Sequence, residues 1–305
     1  MTFVCGDIGG TRARFALSGA EMGSVTEFRS AEFGGPLEMI RRWLGTMSVR
    51  PAAACLGLAG PVIDGRCHAT NLPWTVDSAE LTESLGFPVF LVNDFHAAAL
   101  GARALGPARC VCIVPGEVTA GAPVAVLGAG TGLGEAVLVG DTVLPGEGGH
   151  AEFGPGNQRE VRFAGWLLDR YDRSTWEHVL SGAGLVNLAR FTWAERGRAE
   201  PDWAAGEHAP ARVADSEPEV VEWFAELYGA EAGNLALRVL PRGGVYLAGG
   251  IAPRILPQLR AGGFAKRFSD KGRISAAIAG VPVYVANHPA LGLLGARVEL
   301  ARLGL

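Results

Sequence analysis

The chain has 305 residues, 49% of them hydrophobic, and a formal net charge of −4. That length suits about two domains, and the apolar content can fill a sizeable core. The basic residues are scattered, which excludes the charged surface typical of nucleic-acid binding. No apolar stretch approaches the ~20 residues that a membrane span requires, so we expect neither a nucleic-acid nor a membrane partner.

The N-terminal sequence "MTFVCGDIGG" runs straight into a strand-like pattern and lacks the basic region of a signal peptide. The chain has five cysteines, an odd number at irregular spacing, and Cys110-x-Cys112 has no companion pair. This pattern favours buried, reduced thiols over disulfides or a metal site, and it predicts a cytoplasmic protein.

Two similar hairpins are predicted about 120 residues apart. Residues 3–17, "FVCGDIGGTRARFAL", indicate a strand, a glycine-rich turn and a second strand. Residues 124–139, "VAVLGAGTGLGEAVLV", repeat that pattern. Because each hairpin opens one half of the chain, the pair suggests an internal duplication.

Strands and helices alternate in the rest of the chain. Between the hairpins we predict a buried strand in "AAACLGLAGPV", a short helix in "DSAELTESLG", and a strand followed by a helix in "PVFLVNDFHAAALGARAL". The second half predicts a mostly helical "STWEHVLSGAGLVNLARFTWAERG", an irregular polar segment at 198–215, and a long helix capped by Ser216 and Glu219. The strands "GGVYLAGGIAP" and "PVYVANHP" and a last helix, "ALGLLGARVELARL", complete an α/β fold with parallel or mixed sheets.

The glycine-rich turns are candidate phosphate sites, because backbone N–H groups without neighbouring Cβ atoms can approach an anion. The first turn comprises Gly6, Asp7, Ile8, Gly9, Gly10 and Thr11. Asp7 would repel a bare phosphate, which predicts a divalent cation between them. The second turn runs from Gly128 to Gly134 and includes Gly130, Thr131 and Gly132. A plain tight hairpin is the alternative for each turn taken alone.

A third glycine cluster, Gly249-Gly250, follows a buried strand and could let an adenine or ribose pack flat on the backbone. A crowded turn between strand and helix is the alternative. Asn71 lies on a predicted loop near Trp74. The ordinary interpretation of Asn71 is a turn residue, and the alternative is a ligand-binding residue. Trp74 is interpreted as a packing residue.

Asn93-Asp94 ends a strand and precedes an apolar helix. Position alone favours a helix N-cap for Asp94. Phosphoryl transfer, however, needs positioned Mg²⁺, donors for the phosphates and one carboxylate for the hydroxyl proton. Because the two glycine-rich turns are candidate phosphate sites, Asp94 becomes a candidate for the carboxylate that acts as general base.

Residues 143–155, "VLPGEGGHAEFGP", hold Glu147, His150 and Glu152 among four glycines and two prolines. Such a segment has little to pack and predicts a loop that presents a carboxylate and an imidazole. Glu177, in "WEHVLSG", is predicted on a helix face, where a solvated surface is the ordinary interpretation.

Taken together, these residues resemble the bacterial glucokinases, within the actin-like/hexokinase class of ATPases. The matching stretches are "GDIGGTRARFAL", "LVNDFHAAA", "GAGTGLGEAVLV", "LPGEGGHAEFGP", "VLSGAGLVNL" and "VYLAGGIAPR". The resemblance implies a two-domain fold with ribonuclease-H-like mixed sheets flanking a cleft. It places a smaller domain at 1–104 plus 290–305 and a larger one at 105–289.

The resemblance also implies ATP with Mg²⁺, phosphorylation of glucose at its 6-hydroxyl, and a homodimer. By position in the matching motifs, Asp94 is expected to be the catalytic base, and Asn93, Glu147, His150 and Glu177 are expected to bind the sugar. The turns at 6–11 and 128–134 would be the phosphate loops, with Asp7 near the metal, and Gly249-Gly250 would be the adenosine wall. The glycines of 143–155 would then let a flat backbone approach the pyranose, while the role of Glu152 stays open.

Two features separate the resemblance from neighbouring groups. The related repressor–kinases carry a cysteine-rich zinc motif after the Gly-Glu-x-Gly-His segment, whereas "HAEFGPGNQREV" has no cysteine and predicts a protein without zinc. The first phosphate strand begins at residue 3, which disfavours a DNA-binding module, and Asp94 disfavours a sugar sensor without catalysis. A kinase for another hexose, or one using polyphosphate, stays open because fold alone does not fix the substrate.

Overall fold

The structure is a computed structural model that describes residues 1–19, 21–70 and 72–305. Asn71 lies outside the described residues, so the structure gives no position for it. The chain divides into two compact units. The first comprises Met1–Arg109, Asp141–Pro145 and His288–Leu305, and the second comprises Cys110–Gly140 and Gly146–Asn287. The sequence-based boundaries at 104/105 and 289/290 stay a prediction for the domains.

The elements alternate as the sequence pattern indicates. The strands are β1 (Phe3–Ile8), β2 (Arg12–Ser18), β3 (Thr26–Arg29), β4 (Ala53–Leu58), β5 (Val62–Ile63), β6 (Arg66–His68), β7 (Thr75–Asp77), β8 (Val89–Asn93), β9 (Val111–Val114), β10 (Val124–Ala129), β11 (Leu133–Val139), β12 (Thr142–Gly146), β13 (Val245–Ala248) and β14 (Val283–Val285). The α-helices are α1 (Pro36–Leu44), α2 (Ser78–Leu85), α3 (Asp94–Leu105), α4 (Gln158–Tyr171), α5 (Gly182–Glu195), α6 (Ala209–Ser216), α7 (Pro218–Val239), α8 (Ile251–Arg254), α9 (Leu256–Arg260), α10 (Gly263–Ser269) and α11 (Leu291–Arg302). Short 3₁₀ turns lie at Ser30–Glu32, Pro107–Arg109, Gly148–His150, Asp202–Ala205 and Gly272–Ala277.

The two units repeat one sheet pattern. In the first, the order is β3-β2-β1-β4-β8, with β1 antiparallel to β2 and parallel to β4, which is parallel to β8. In the second, the order is β11-β10-β13-β14-β9, with β10 antiparallel to β11 and parallel to β13, which is parallel to β14. Each sheet therefore joins an antiparallel hairpin to two parallel strands, the mixed arrangement predicted. The repeated pattern agrees with an internal duplication.

Local chemistry explains the boundaries where prediction and structure agree. The Asp77 side chain accepts from the Ala79 amide at 2.8 Å and so caps α2, which ends at Gly86 in the left-handed conformation (φ 75°). The central strand β4 is buried along its whole length, as its unbroken apolar run predicts. Each unit has its own apolar core.

The stretch 174–197 is mostly helical, as predicted, although residues 174–181 form turns and α5 begins only at Gly182, where the Ser181 side chain caps it. Two predictions about the second half are wrong. The segment 198–215 is not irregular, because it contains a 3₁₀ turn and α6. Ser216 ends α6 and donates to the Arg212 carbonyl at 2.7 Å, so it does not form a capping box with Glu219.

None of the five cysteines, all of which lie in the described residues, forms a disulfide, and three of them are buried. Burial raises the pKa of Cys5 to about 12. The expectation of uniform burial is wrong for Cys112, which is exposed on the edge strand β9. Within the described part of the chain, no helix is both long and apolar enough to cross a membrane.

Candidate active site

The first glycine-rich turn is shorter than predicted. Gly6, Asp7 and Ile8 belong to β1, so the turn itself is Gly9, Gly10 and Thr11. The Gly9 amide donates to the Arg12 carbonyl at 2.9 Å, and Ser30 braces the turn by donating its hydroxyl to the Gly9 carbonyl at 2.8 Å. Ile8 has only 2% exposure, so its side chain lies in the core.

Asp7 is held against the start of the last helix. A Cβ built on Gly292 would lie 2.7 Å from the Asp7 carboxyl carbon, so only glycine lets the helix approach so closely. Burial raises the pKa of Asp7, and the nearby positive charge of Arg14 lowers it in part. Arg14 is itself engaged with Glu27 at 3.0 Å. Burial disfavours the ionised form of Asp7, and Arg14, which Asp7 shares with Glu27, compensates this only in part. The Asp7 carboxylate is therefore suited to bind a further cation.

A magnesium ion fits this residue set. Mg²⁺ in phosphoryl-transfer sites typically binds one or two carboxylates together with substrate phosphates and water. Asp7 provides the carboxylate. In the described residues no group of three or more His, Cys, Asp or Glu could hold a metal by itself. The chain's contribution to a metal site would therefore be a single carboxylate beside a phosphate loop.

The cap of α3 is Asn93, and not Asp94 as its position suggested. The Asn93 Oδ1 accepts from the Phe95 amide at 2.8 Å and the His96 amide at 3.2 Å, and its Nδ2 donates to the Gly60 carbonyl at 3.0 Å. An asparagine amide offers two donor hydrogens. The Gly60 carbonyl takes one of them, so Asn93, although only 7% exposed, keeps one N–H for a ligand.

Asp94 is the first residue of α3, at the carboxyl end of the parallel strand β8. Its Oδ1 accepts the Phe95 amide at 2.9 Å, and its side chain is partly exposed. Asn93 therefore supplies the cap, and Asp94 shares one of its amide donors, Phe95, which fixes the position of the Asp94 carboxylate. The carboxyl ends of such strands are where α/β folds place ligands.

The second turn, Gly130 to Gly132, is fastened to two other segments of its unit. The Gly182 amide, at the start of α5, donates to the Gly130 carbonyl at 2.8 Å. The Glu177 Oε2 accepts the Leu133 amide at 3.0 Å, and a Cβ on Gly132 would lie 2.3 Å from that oxygen. Glu177 therefore lies on a turn that supports the glycine-rich hairpin, and not on a helix face as predicted.

The loop that holds Glu147 and His150 forms a 3₁₀ turn at Gly148–His150. The Glu177 amide donates to the Gly149 carbonyl at 2.8 Å, which ties this loop to Glu177 and through it to the second turn. The side chains of Glu147 and His150 are both exposed. Glu147, His150 and Glu177 are thus brought into one connected region of the second unit.

The glycines of this loop pack it onto β11. A Cβ on Gly149 would lie 2.1 Å from the Leu133 carbonyl oxygen, and one on Gly148 would lie 2.1 Å from the Glu135 carboxylate. The expectation that they serve the approach of a sugar is therefore incomplete, since Gly149 is also needed for packing against the Leu133 backbone and Gly148 lies against the Glu135 side chain. Glu152 makes an exposed ion pair with Arg173 at 2.7 Å.

The two glycines after β13 differ. Gly249 has φ +81°, and a Cβ there would lie 2.3 Å from the Ala129 carbonyl oxygen at the end of β10. Gly250 has open space around the equivalent position. Gly249 thus fits the interpretation as a crowded turn, whereas packing of an adenine or ribose on this cluster stays a prediction, for which Gly250 leaves open space.

Sequence reasoning missed the residues that brace these turns. The Ser181 hydroxyl donates to the Glu177 carbonyl at 2.7 Å and accepts the Gly184 amide at 3.0 Å. The Tyr228 hydroxyl, buried on α7, accepts the Ala129 amide at 3.1 Å. Only Ser181 had a sequence signal, since a serine before Gly-x-Gly is a typical helix cap.

The model of the glucokinase family matches residues 4–303 of the chain. The chain belongs to the glucokinase family. A glucokinase of Nostoc sp. (strain PCC 7120) is 36% identical to it over 98% of this chain and 99% of that protein. The chain is therefore a glucokinase-type enzyme.

Solved structures agree with the family in fold. A glucokinase from an Antarctic psychrotroph superposes with a TM-score of 0.83 at 32% identity, covering 99% of each chain. A ROK family glucokinase from Streptomyces griseus, solved with glucose and AMPPNP, covers 100% of each chain with a TM-score of 0.72. At 21% identity that second likeness shows the fold alone, which is the actin-like sugar-kinase fold predicted from the sequence.

Proposed function

We propose that this glucokinase family member transfers the γ-phosphoryl group of ATP to the 6-hydroxyl of glucose. Family membership and the glucose and AMPPNP in the Streptomyces griseus relative support the two substrates. The observation that carries the proposal is the different roles of two adjacent residues at the end of β8. Asn93 caps α3, and Asp94 presents a carboxylate at the strand's carboxyl end.

Asp94 acts as the general base in this proposal. A sugar hydroxyl is a weak acid, and its proton must leave as its oxygen bonds to phosphorus. A carboxylate within hydrogen-bond reach accepts that proton and orients the oxygen beforehand. Asn93 adds one N–H donor to a hydroxyl, consistent with the single amide hydrogen that its other contacts leave.

The second unit supplies the remaining sugar ligands and part of the nucleotide site. We define the sugar loop as residues 146–155. Glu147 and His150, on this loop, would accept from and donate to neighbouring hydroxyls, and the second oxygen of Glu177 would accept another. The Gly9 and Gly130 amides are engaged within their own turns, by the carbonyls of Arg12 and Gly132. The other backbone N–H groups of these two turns would bind phosphate oxygens. Gly250 offers the open surface for adenosine.

Asp7 would hold Mg²⁺, which neutralises charge on the transferred phosphoryl group when bound. The chain itself would contribute the Asp7 carboxylate beside the first turn. Burial disfavours its uncompensated charge there, and a bound cation would stabilise it. Backbone N–H donors in the glycine-rich turns, rather than a lysine side chain, would bind the phosphate oxygens.

A coupled assay of 6-phosphate formation with a panel of hexoses and phosphate donors tests the proposal. We expect glucose with ATP to be the preferred pair. Preference for another hexose or for polyphosphate would correct the substrate, and glucose binding without transfer would favour a sensor. The homodimer and the cytoplasmic location stay predictions, which light scattering and cell fractionation test.

Substitution of Asp94 tests its role directly. Asp94→Asn keeps the shape and loses the ability to accept a proton, so turnover should fall by about 10²–10⁴-fold, the usual value of a positioned base. Glucose affinity by calorimetry should stay within about tenfold, or ~1.4 kcal/mol. Asp141→Asn, at an exposed aspartate of the same unit, is the control. Turnover within a few-fold of the parent would place the base elsewhere.

A further inference from the structure

Two buried carboxyl groups have no part in the proposed chemistry, and one of them lies against the sugar loop. Glu135, on β11, is 6% exposed, and Glu231, on α7, is fully buried. Carboxyl groups are rarely buried unless a partner compensates them. Their surroundings therefore indicate what the pair does.

Glu135 is in direct contact with the backbone of the sugar loop. A Cβ on Gly148 would lie 2.1 Å from the Glu135 Oε2 and 2.4 Å from its carboxyl carbon, and all three nearest atoms belong to Glu135. Gly148 does not adopt a left-handed backbone conformation. Contact with Glu135 is thus the one reason within the described structure for glycine at this position, which lies between Glu147 and His150.

The two carboxyl groups differ in their donors. Glu231 accepts from the Asn234 Nδ2 at 2.8 Å and from the Arg238 guanidinium at 3.0 Å. Burial raises the pKa of Glu231, and these donors, together with the charge of Lys271 after α10, lower it in part. Glu135 has one buried oxygen without a donor, while its other oxygen lies 3.8 Å from Arg238. An ionised Glu135 would be poorly compensated beside a second carboxylate.

A protonated Glu135 resolves this imbalance. Its O–H can donate to the Glu231 carboxylate, so that the two groups share one proton. Burial first, and then the charge and the hydrogen bond of Glu231, raise the pKa of Glu135 to about 7. The charged groups that face the pair are Arg238 on α7 and Lys271, while the sugar loop brings only the glycine backbone to the contact.

We propose that Glu135 is a positioning residue for the sugar loop, and that the proton it shares with Glu231 keeps Gly148, Glu147 and His150 in the conformation that binds glucose. The inference rests on the proposed sugar-binding function of this loop. When the shared proton leaves, two adjacent carboxylates repel each other, and the Glu135 carboxylate presses on a backbone with which it is already in contact. Glucose affinity therefore decreases as pH rises through neutrality, whereas ATP affinity does not follow.

The pH dependence of the Michaelis constants tests this. With a midpoint near pH 7, about one tenth of the parent keeps the proton at pH 8, so its KM for glucose should rise by up to about tenfold from pH 6 to pH 8. Glu135→Gln keeps the shape and an N–H donor but cannot ionise, so its KM for glucose should change less than about twofold. Glu195→Gln, which removes a carboxylate bound to two arginines elsewhere in the unit, should follow the parent.

Two failures are distinguishable in these data. A parent that phosphorylates no hexose refutes the proposed function. An active parent whose glucose KM has the same pH dependence as Glu135→Gln refutes only the positioning role, and so does a KM for ATP that rises in parallel with that for glucose.

Second-site rescue tests the contact itself. Gly148→Ala should raise the KM for glucose at least about tenfold or prevent folding, because of the overlap with Glu135. Glu135→Ala removes the obstructing carboxyl, so the double variant should recover the melting temperature and KM of Glu135→Ala alone. Gly149→Ala is the matched control, since its Cβ would meet the Leu133 carbonyl and no change at Glu135 relieves it. Equal rescue of both glycine variants, or rescue of neither, overturns the proposal.

Discussion

The proton on Glu135 should also be measurable as stability, without any ligand. The perturbation is Glu135→Gln, which keeps the side-chain volume and removes the titration. The pKa of this carboxyl rises from an ordinary 4.5 to about 7 in the folded protein. Since each tenfold change in an equilibrium corresponds to ~1.4 kcal/mol, this difference is worth about 3 kcal/mol.

The sign follows from which state releases the proton first. Below about pH 4.5 both folded and unfolded chains keep it, and the stabilisation is fully present. Between pH 4.5 and 7 the unfolded chain releases it while the folded protein retains it, so the free energy of unfolding of the parent decreases as pH rises. Above pH 7 both states are ionised and the effect levels off. The variant lacks this decrease.

Urea unfolding of both proteins between pH 5 and pH 8 measures the difference. Tryptophan fluorescence reports on the unfolding of both units, because Trp176 and Trp193 lie in the core of the second and Trp43 and Trp74 in that of the first. The stability of Glu135→Gln relative to the parent should increase by about 2–3 kcal/mol across this range. Parallel curves for the two proteins would show that Glu135 is ionised when folded, and the shared proton would be wrong.

The sequence predicts what depends on neighbours along the chain. The hairpins β1–β2 and β10–β11 follow from alternating strands around glycines, and α2 follows from Asp77 before it and Gly86 after it. The same local logic fails where two caps compete. Ser216 and Glu219 have the spacing of a capping box. In the structure, however, α6 ends at Ser216, and α7 begins at Pro218 without a side-chain cap.

Contacts between residues far apart in the chain determine the features that could not be predicted from the sequence. Asn93 and Asp94 are both good caps, and the choice between them depends on the Gly60 carbonyl, which holds the Asn93 amide from another part of the chain. Glu135 and Glu231 are 96 positions apart, so no spacing rule links them. The candidate site was predictable as a set of motifs, whereas the buried groups that support it appear only in three dimensions.

Three further substitutions separate metal binding, packing and adenosine binding. Asp7→Ala should lower turnover strongly and raise the Mg²⁺ concentration needed for half-maximal activity, because the carboxylate beside the first turn is lost; wild-type turnover at low Mg²⁺ would contradict the metal role. Gly249→Ala and Gly250→Ala form a matched pair. A Cβ at Gly249 would lie 2.3 Å from the Ala129 carbonyl in a left-handed conformation, so this variant should lose about 2–4 kcal/mol of stability. Gly250→Ala meets no atom within 4 Å and should melt like the parent, with a raised KM for ATP as its effect. A Gly250→Ala variant with unchanged KM for ATP would remove this backbone from the adenosine site, whatever the stability of Gly249→Ala.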